Sequence, residues 1–262
     1  MIIGSVVWNV NPELIRIGNF AIRYYGVLFA LGFVLGYFIM GNIFKTENIP
    51  PKLLETLTTF MVIGTVIGAR LGHCLFYEPG YYLSHPVEIL KIWEGGLASH
   101  GAAIGILVAL YLFSRKAKKP WMWILDRIAI VIAIAGFCIR MGNLMNSEIY
   151  GVETSLPWGF IFERNHETVP RHPTQIYEAL SYLLIFGILY LVYRKKTTAL
   201  KQGHLFGLFL ILLFGTRFII EVIKEPQVDF ENSMTLNLGQ LLSIPFIITG
   251  IAILARARTR KS

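Results

Sequence analysis

Charge is what this chain has least of. Asp, Glu, Lys and Arg make up 15% of its 262 residues while hydrophobic residues make up 55%, against roughly 25% charged in an ordinary soluble domain. So little polar side chain cannot cover a water-soluble globule of this length, which excludes a soluble enzyme. Disorder is excluded too, because it needs low hydrophobicity and this chain is rich in Leu, Ile, Val and Phe. Cysteine is scarce as well. Cys74 and Cys138 both lie inside apolar segments, which argues for small buried hydrophobes and against a disulfide framework. There is no H-E-x-x-H, and no pair among His73, His85, His100, His166, His172 and His204 has metal-ligand spacing, so no metal site is expected. A G-x-S-x-G elbow and a Walker sequence are also missing, which disfavours a serine hydrolase and a nucleotide-phosphate cradle. The opening residues carry no basic region ahead of their apolar stretch and no A-x-A site, so no cleaved signal peptide is expected.

What the chain does have is long apolar runs. A membrane-spanning helix needs about 20 apolar residues, and seven stretches qualify as expected spans: 20–42, 54–77, 97–113, 122–143, 174–193, 204–223 and 237–255. The third is the shortest and opens in W-E-G-G-L-A-S-H-G-A-A-I-G, where a re-entrant or broken start is expected. The expected fold is all-α, a polytopic membrane protein of seven transmembrane helices forming one domain over residues 1–262. Basic residues collect after spans one, three and five (Lys45 and Lys52; Arg115, Lys116, Lys118 and Lys119; Arg194, Lys195, Lys196 and Lys201) and in the tail (Arg256, Arg258, Arg260 and Lys261). Acids such as Glu78, Glu88, Glu153, Glu163, Glu167, Glu225, Asp229 and Glu231 collect on the other side. Because cytoplasmic loops carry the basic excess, the N-terminus is expected outside and the C-terminus in the cytoplasm. The net charge of +8 is therefore mostly topological. It is scattered rather than clustered on a solvated domain, so no nucleic-acid partner is expected, while the basic loops are placed to touch membrane lipids. No repeat is visible, which weakens a transporter built from inverted repeats. Glycines recur at four-residue spacing (Gly32 and Gly36; Gly64, Gly68 and Gly72; Gly101 and Gly105), as close helix packing requires; room for a lipid or peptide is the alternative.

Charged side chains at membrane depth are costly, about 2.5–3.5 kcal/mol on the insertion scale, so each is a site candidate. Arg140, Asn143 and Asn146 form a polar ridge at the outer end of span four, with Glu148 at its exit. Arg217 and Glu221 are four residues apart in span six, with Lys224 another turn on. Arg70 lies inside span two, either as a structural group on backbone carbonyls or as part of a site. His100 stands in the Gly-rich entry to span three, Arg23 reads as an interface anchor, and Tyr24 and Tyr25 read as belt aromatics. Arg140, Arg217 and Arg70 together outnumber the acids inside the spans. Excess guanidinium in a low-dielectric site calls for an anion, and its planar fork matches a phosphate diester. At membrane depth that anion is a phospholipid headgroup.

The run R-M-G-N-L-M-N-S-E-I-Y-G, residues 140–151, resembles the signature of the prolipoprotein diacylglyceryl transferases, roughly G-R-x-G-N-F-x-N-x-E-x-x-G. Arg140, Gly142, Asn143, Asn146, Glu148 and Gly151 match it, while Ile139 replaces Gly and Leu144 replaces Phe. Four further segments agree in order: I-R-Y-Y-G at 22–26, W-E-G-G-L-A-S-H-G at 93–101, R-H-P-T-Q-I-Y-E at 171–178, and Thr216 to Gln227, which keeps Arg217 and Glu221 but has Lys224 for Arg and Gln227 for Asp. Lys224 keeps the charge and lacks the bidentate fork.

The resemblance implies a multi-pass enzyme of the bacterial cytoplasmic (inner) membrane. Its implied reaction moves the diacylglyceryl group of phosphatidylglycerol to the thiol of the lipobox cysteine of a preprolipoprotein, without a cofactor, and releases glycerol phosphate. It places the family's tyrosine at Tyr25 and its histidine at His100. On this reading Arg140 and Arg217 take the phosphate, Asn143 and Asn146 bond the glycerol headgroup or backbone carbonyls, Glu221 or Glu148 orients an arginine or the histidine, and Gly151 belongs to the binding set. His100 is the candidate base, since an unperturbed imidazole titrates at about 6.5. The rival assignment makes His100 structural and lets the arginine field depress the thiol's pKa. The alternative function is a non-enzymatic transporter or binder of an anionic lipid or solute.

Overall fold

Prolines and a strand set where the helices begin. The computed structural model describes residues 4–18, 20–196, 200–225 and 234–259; Gln227, Asp229, Glu231, Arg260 and Lys261 lie outside the described residues. The helices are α1 Tyr24–Thr46, α2 Pro51–Phe76, α3 Pro79–Ser84, α4 Ser99–Ala117, α5 Trp121–Met145, α6 Thr174–Lys196, α7 His204–Ile220 and α8 Leu238–Thr259. Four short strands accompany them, β1 Val6–Trp8, β2 Glu13–Ile17, β3 Phe20–Arg23 and β4 Phe160–Phe162, so the expectation of an all-α chain holds for the helical body but not for its polar end. Residues 20–23, expected to open the first span, instead pair antiparallel with β2, and α1 starts only at Tyr24. Pro51 and Pro79 occupy the first positions of α2 and α3, where a missing N–H costs no hydrogen bond.

Among the described residues, six helical segments are long and apolar enough to cross a membrane: Tyr24–Thr46, Pro51–Phe76, Trp121–Met145, Thr174–Lys195, His204–Ile223 and Leu238–Ala257. The chain is a polytopic membrane protein. The expected third span forms as α4, but Ser99 and His100 at its start and Arg115 and Lys116 at its end dilute its hydropathy, and it does not join the six. Nor is α4 itself broken. The irregular stretch lies ahead of it, in one-turn helices at Pro86–Leu90 and Ile92–Glu94 and in Gly95 and Gly96, both at positive φ.

The chain divides into two compact units, residues 40–125 and residues 1–39 with 126–262. In the smaller unit, α2 and α4 meet backbone to backbone. A Cβ on Gly64 would lie 2.7 Å from the Gly105 carbonyl oxygen, and one on Gly72 would lie 2.6 Å from Gly101 Cα. Numbers rise along α2 as they fall along α4, so the helices run antiparallel, and the glycine spacing serves packing rather than a ligand. Arg70, buried on α2, donates to the carbonyls of Glu88 (2.6 Å), Ile89 (2.9 Å), Gly95 (2.6 Å) and Gly96 (3.3 Å) and lies over the Tyr82 ring. It organises the irregular stretch from within its own helix, so it leaves the set of cations assigned to an anion.

In the larger unit, Gly32 and Gly36 of α1 pack on Ala135 and Val131 of α5, Gly136 of α5 packs on Tyr182 of α6, and Gly207 of α7 packs on Gly250 of α8. The strand β1 pairs parallel with β4, and the Trp8 indole donates to the Leu144 carbonyl at 3.0 Å. The first turn of α7 has no cap of its own. Asp126, fully buried near the start of α5, supplies one by accepting from the Gly203 N–H at 2.7 Å and the Phe206 N–H at 2.9 Å. Asp126→Ala strands both buried donors and is expected to lower stability by about 1–3 kcal/mol, while Asp126→Asn, which keeps one acceptor oxygen, is expected to lose less. Thermal unfolding of the detergent-solubilised protein checks the order.

Candidate active site

The signature run folds as the last two turns of α5 and the loop that leaves it. The spacing of Arg140 and Asn143 puts them on one face, where Arg140 Nη1 donates to Asn143 Oδ1 at 3.2 Å. The amides of Asn143 (2.7 Å) and Asn146 (3.3 Å) both donate to Glu148 Oε1. In the protein as it stands, then, the two asparagines hold a carboxylate rather than backbone carbonyls. Gly142 is needed because Tyr25, in the first turn of α1, lies flat against it: a Cβ there would sit 2.8 Å from Tyr25 Cδ2. That contact places Tyr25 beside the signature helix and explains two motif positions together.

Glu148 sits between two left-handed residues, Ser147 at φ 56° and Ile149 at φ 61°. A β-branched residue in that region is an outlier, and such strain persists only where the surroundings hold it. They do so through three consecutive carbonyls. Asn165 Nδ2 donates to the Ser147 carbonyl at 2.6 Å, Gln175 Nε2 to the Glu148 carbonyl at 2.7 Å, and Thr174 Oγ1 to the Ile149 carbonyl at 2.8 Å. Thr174 and Gln175 belong to the R-H-P-T-Q-I-Y-E run, whose role is thereby to clamp the signature loop.

The last residue of that run, Glu178, is the centre of the charged cluster. Its side chain is 2% exposed and takes Arg140 Nε at 2.9 Å on one oxygen and Lys224 Nζ at 2.9 Å on the other. Lys224, 4% exposed, also reaches Glu221 Oε2 at 3.4 Å, and Arg217 Nε reaches the same Glu221 oxygen at 3.8 Å. Gly239 of α8 lies so close to the Glu221 carboxylate that no side chain fits there. Gly151 contributes backbone only: its N–H donates to the His172 carbonyl at 2.8 Å, it bridges to Lys224, and a Cβ would strike the Ile223 carbonyl.

The expected guanidinium excess is thus corrected on two counts. Arg70 is satisfied by carbonyls in the smaller unit, and Glu178, a buried acid of α6, was not counted. What stands is three cations, Arg140, Arg217 and Lys224, on the two carboxylates of Glu178 and Glu221. The cations are unequally held. Arg217 is 35% exposed on its side chain against 14% for Arg140 and 4% for Lys224, and its ion-pair contact is long at 3.8 Å.

Nearer the polar end, Arg171 pairs with Glu167 at 2.9 Å and Glu225 at 2.5 Å, and the Tyr150 hydroxyl donates to Glu167 at 2.9 Å. Burial first, and then Glu167, pushes the Tyr150 phenol above its ordinary value, so it stays neutral. Arg23, exposed at the end of β3, faces Glu13 across the hairpin as an anchor would. His100 belongs to the smaller unit, in the first turn of α4. Its exposed ring stacks on Tyr77 at 5.6 Å and meets Phe76 edge-on at 5.9 Å, and it makes no hydrogen bond among the described residues.

Comparison with known proteins agrees with these motifs. The family model described as prolipoprotein diacylglyceryl transferase matches residues 12–256. A protein of Tolumonas auensis named phosphatidylglycerol--prolipoprotein diacylglyceryl transferase is 51% identical over 257 residues, covering 97% of this chain and 98% of its own. Proteins of the same name from Chloroherpeton thalassium and Bacteroides fragilis are each 46% identical, covering 95% and 94% of this chain and 93% of their own. The chain belongs to the prolipoprotein diacylglyceryl transferase family.

Proposed function

We propose that the chain acts as a single membrane transferase domain that moves the diacylglyceryl group of phosphatidylglycerol to the lipobox cysteine thiol of a preprolipoprotein, the first step of bacterial lipoprotein maturation. The observation that carries this reading is Arg217. It is a partly exposed guanidinium at the end of a membrane helix, 3.8 Å from its one acid, in a cluster where among the described residues three cations face the two carboxylates of Glu178 and Glu221. A phosphodiester supplies both a closer acceptor and the balancing charge.

The chemistry follows from that placement. The substrate's sulfur attacks the sn-3 carbon of the glycerol that carries the acyl chains, a C–S bond forms, and the C–O bond to phosphate breaks. Glycerol phosphate leaves with the bonding pair, and the thiol proton passes to a base. Arg217 neutralises the departing phosphate. Arg140, fixed by Glu178 and Asn143, adds its remaining donors from a rigid position. Glu221 orients Arg217, Tyr25 packs the signature helix beside the site, and Asn143 with Asn146 fixes Glu148. Neither Cys74 nor Cys138 has a part, since the nucleophile belongs to the substrate. His100 is the proposed base: its ring is exposed and its nitrogens make no hydrogen bond among the described residues, so one is open to a thiol proton.

The proposed topology has seven spans in the bacterial cytoplasmic membrane, with the N-terminus outside and the C-terminus in the cytoplasm. The distribution of Lys and Arg supports it, and so does α4, which packs backbone to backbone along the spanning helix α2.

Purified protein, phosphatidylglycerol and a lipobox peptide are expected to yield a peptide heavier by one diacylglyceryl group, joined as a thioether, by mass spectrometry. Folded protein that yields no adduct contradicts the transferase and favours a lipid or anion binder. In the same assay Arg217→Ala is expected to lose about 100-fold or more in kcat/KM with little change in unfolding temperature. Arg140→Ala is expected to lose activity and also about 3–5 kcal/mol of stability, because it leaves Glu178 buried with one partner fewer. His100→Gln is expected to lose at least about 100-fold in turnover at neutral pH. Near wild-type turnover of that variant at raised pH assigns the proton transfer to the arginine field instead.

A further inference from the structure

The rigid position that phosphate binding asks of Arg140 is not secured by Glu178 and Asn143 alone. Arg140 Nε lies 2.9 Å from Glu178 Oε2, yet Nε makes no aligned hydrogen bond, so the ion pair sets a separation and leaves the guanidinium plane free to turn. The bond from Nη1 to Asn143 Oδ1, at 3.2 Å, stands at the long limit for a hydrogen bond. Direction matters here, because a guanidinium serves a phosphate through a planar fork whose donors must face the oxygens. A third contact supplies it. Tyr182 of α6 is half-buried, and the centre of its ring lies 6.0 Å from the Arg140 guanidinium carbon, at the outer reach of cation–π attraction.

The ring is held in that place by a glycine. A Cβ on Gly136 would lie 2.5 Å from Tyr182 Cδ2 and 2.8 Å from Cε2, closer than carbon atoms pack, so any larger residue would push the ring off α5. Gly136 stands four residues before Arg140 on α5, and Tyr182 four residues after Glu178 on α6, so each pair shares a helix face. The two faces meet with their pairs interlocked: Arg140 against Glu178, Gly136 against Tyr182, and the Tyr182 ring beside Arg140. A long helical side chain leans back over the turn before its own Cα, and for Arg140 that turn carries Gly136. The ring therefore walls off the space into which the arginine would otherwise swing. We propose that Tyr182 is a positioning residue for the transfer, whose ring, seated on Gly136, keeps the Arg140 fork turned toward the phosphate. This rests on the transferase reading and deepens it, since the effect of Tyr182 passes through Arg140.

Tyr182→Met fills the slot with a flexible chain that cannot hold a plane, and Tyr182→Phe keeps the ring. Each is made in the wild-type protein and in an Arg140→Lys background, whose compact ammonium has no plane to orient. Formation of the diacylglyceryl thioether is then measured per folded protein. Tyr182→Met is expected to lose about 10-fold or more in kcat/KM for phosphatidylglycerol, because a misplaced donor forfeits transition-state stabilisation, while Tyr182→Phe is expected to stay within about 3-fold of wild type. In the Arg140→Lys background the loss from Tyr182→Met is expected to shrink to under about 2-fold, since residues that act as a unit are not additive. Tyr182→Leu repeats the cycle, so that a loss shared by the two variants does not come from the misfit of one side chain. A merely structural tyrosine loses equally in both backgrounds, and that result overturns the proposal. So does a Tyr182→Phe variant as slow as Tyr182→Met, or a Tyr182→Met variant as fast as wild type. Wild-type protein that forms no adduct from phosphatidylglycerol defeats the transferase reading, and the positioning role falls with it. Adduct formation with equal losses in both backgrounds defeats the positioning role alone.

Discussion

The site depends on Glu178. A carboxylate buried in a membrane helix is tolerable only when its charge is balanced, and here one oxygen lies in an ion pair with Arg140 from α5 and the other in an ion pair with Lys224 from the segment after α7. That single group ties three elements together at one level of the bundle. Because it takes Arg140 and most of Lys224, Arg217 is left as the loosely held cation of the cluster.

The second constraint is backbone rather than charge. Glu148 stands between two left-handed residues, and nothing within the loop itself prefers that shape. Side chains from Asn165, Thr174 and Gln175 impose it from outside by taking the carbonyls that a regular helix would have used. Strain and a cavity coincide at these residues. Close to the clamp in sequence, β4 pairs with β1 and Arg171 stands between Glu167 and Glu225.

Local spacing was readable from the sequence and long-range pairing was not. Arg140 with Asn143, and Arg217 with Glu221, are helical neighbours, so their contacts follow from periodicity alone. Apolar runs likewise located the helices, although the first begins late because residues 20–23 pair with β2, a preference that hydropathy does not register. Glu178 stands in the first turns of α6, where an acid reads as the solvated start of a helix, and its partners come from other elements. Arg70 was ambiguous for a related reason: its partners are backbone carbonyls, which leave no mark on the sequence. Asp126 is similar, an acid at the start of one helix whose use is to cap another. The tandem glycines of α2 and α4 were readable in spacing, and only the structure shows that they face each other.

The most direct test of this arrangement is a double-mutant cycle on the buried pair, read as unfolding stability in detergent for Glu178→Gln, Lys224→Met and the two combined. If Glu178 organises the cluster, each single change leaves an unanswered charge and the combined variant is less destabilised than their sum, with a coupling on the order of 1–3 kcal/mol. Additivity within about 0.5 kcal/mol would contradict the account.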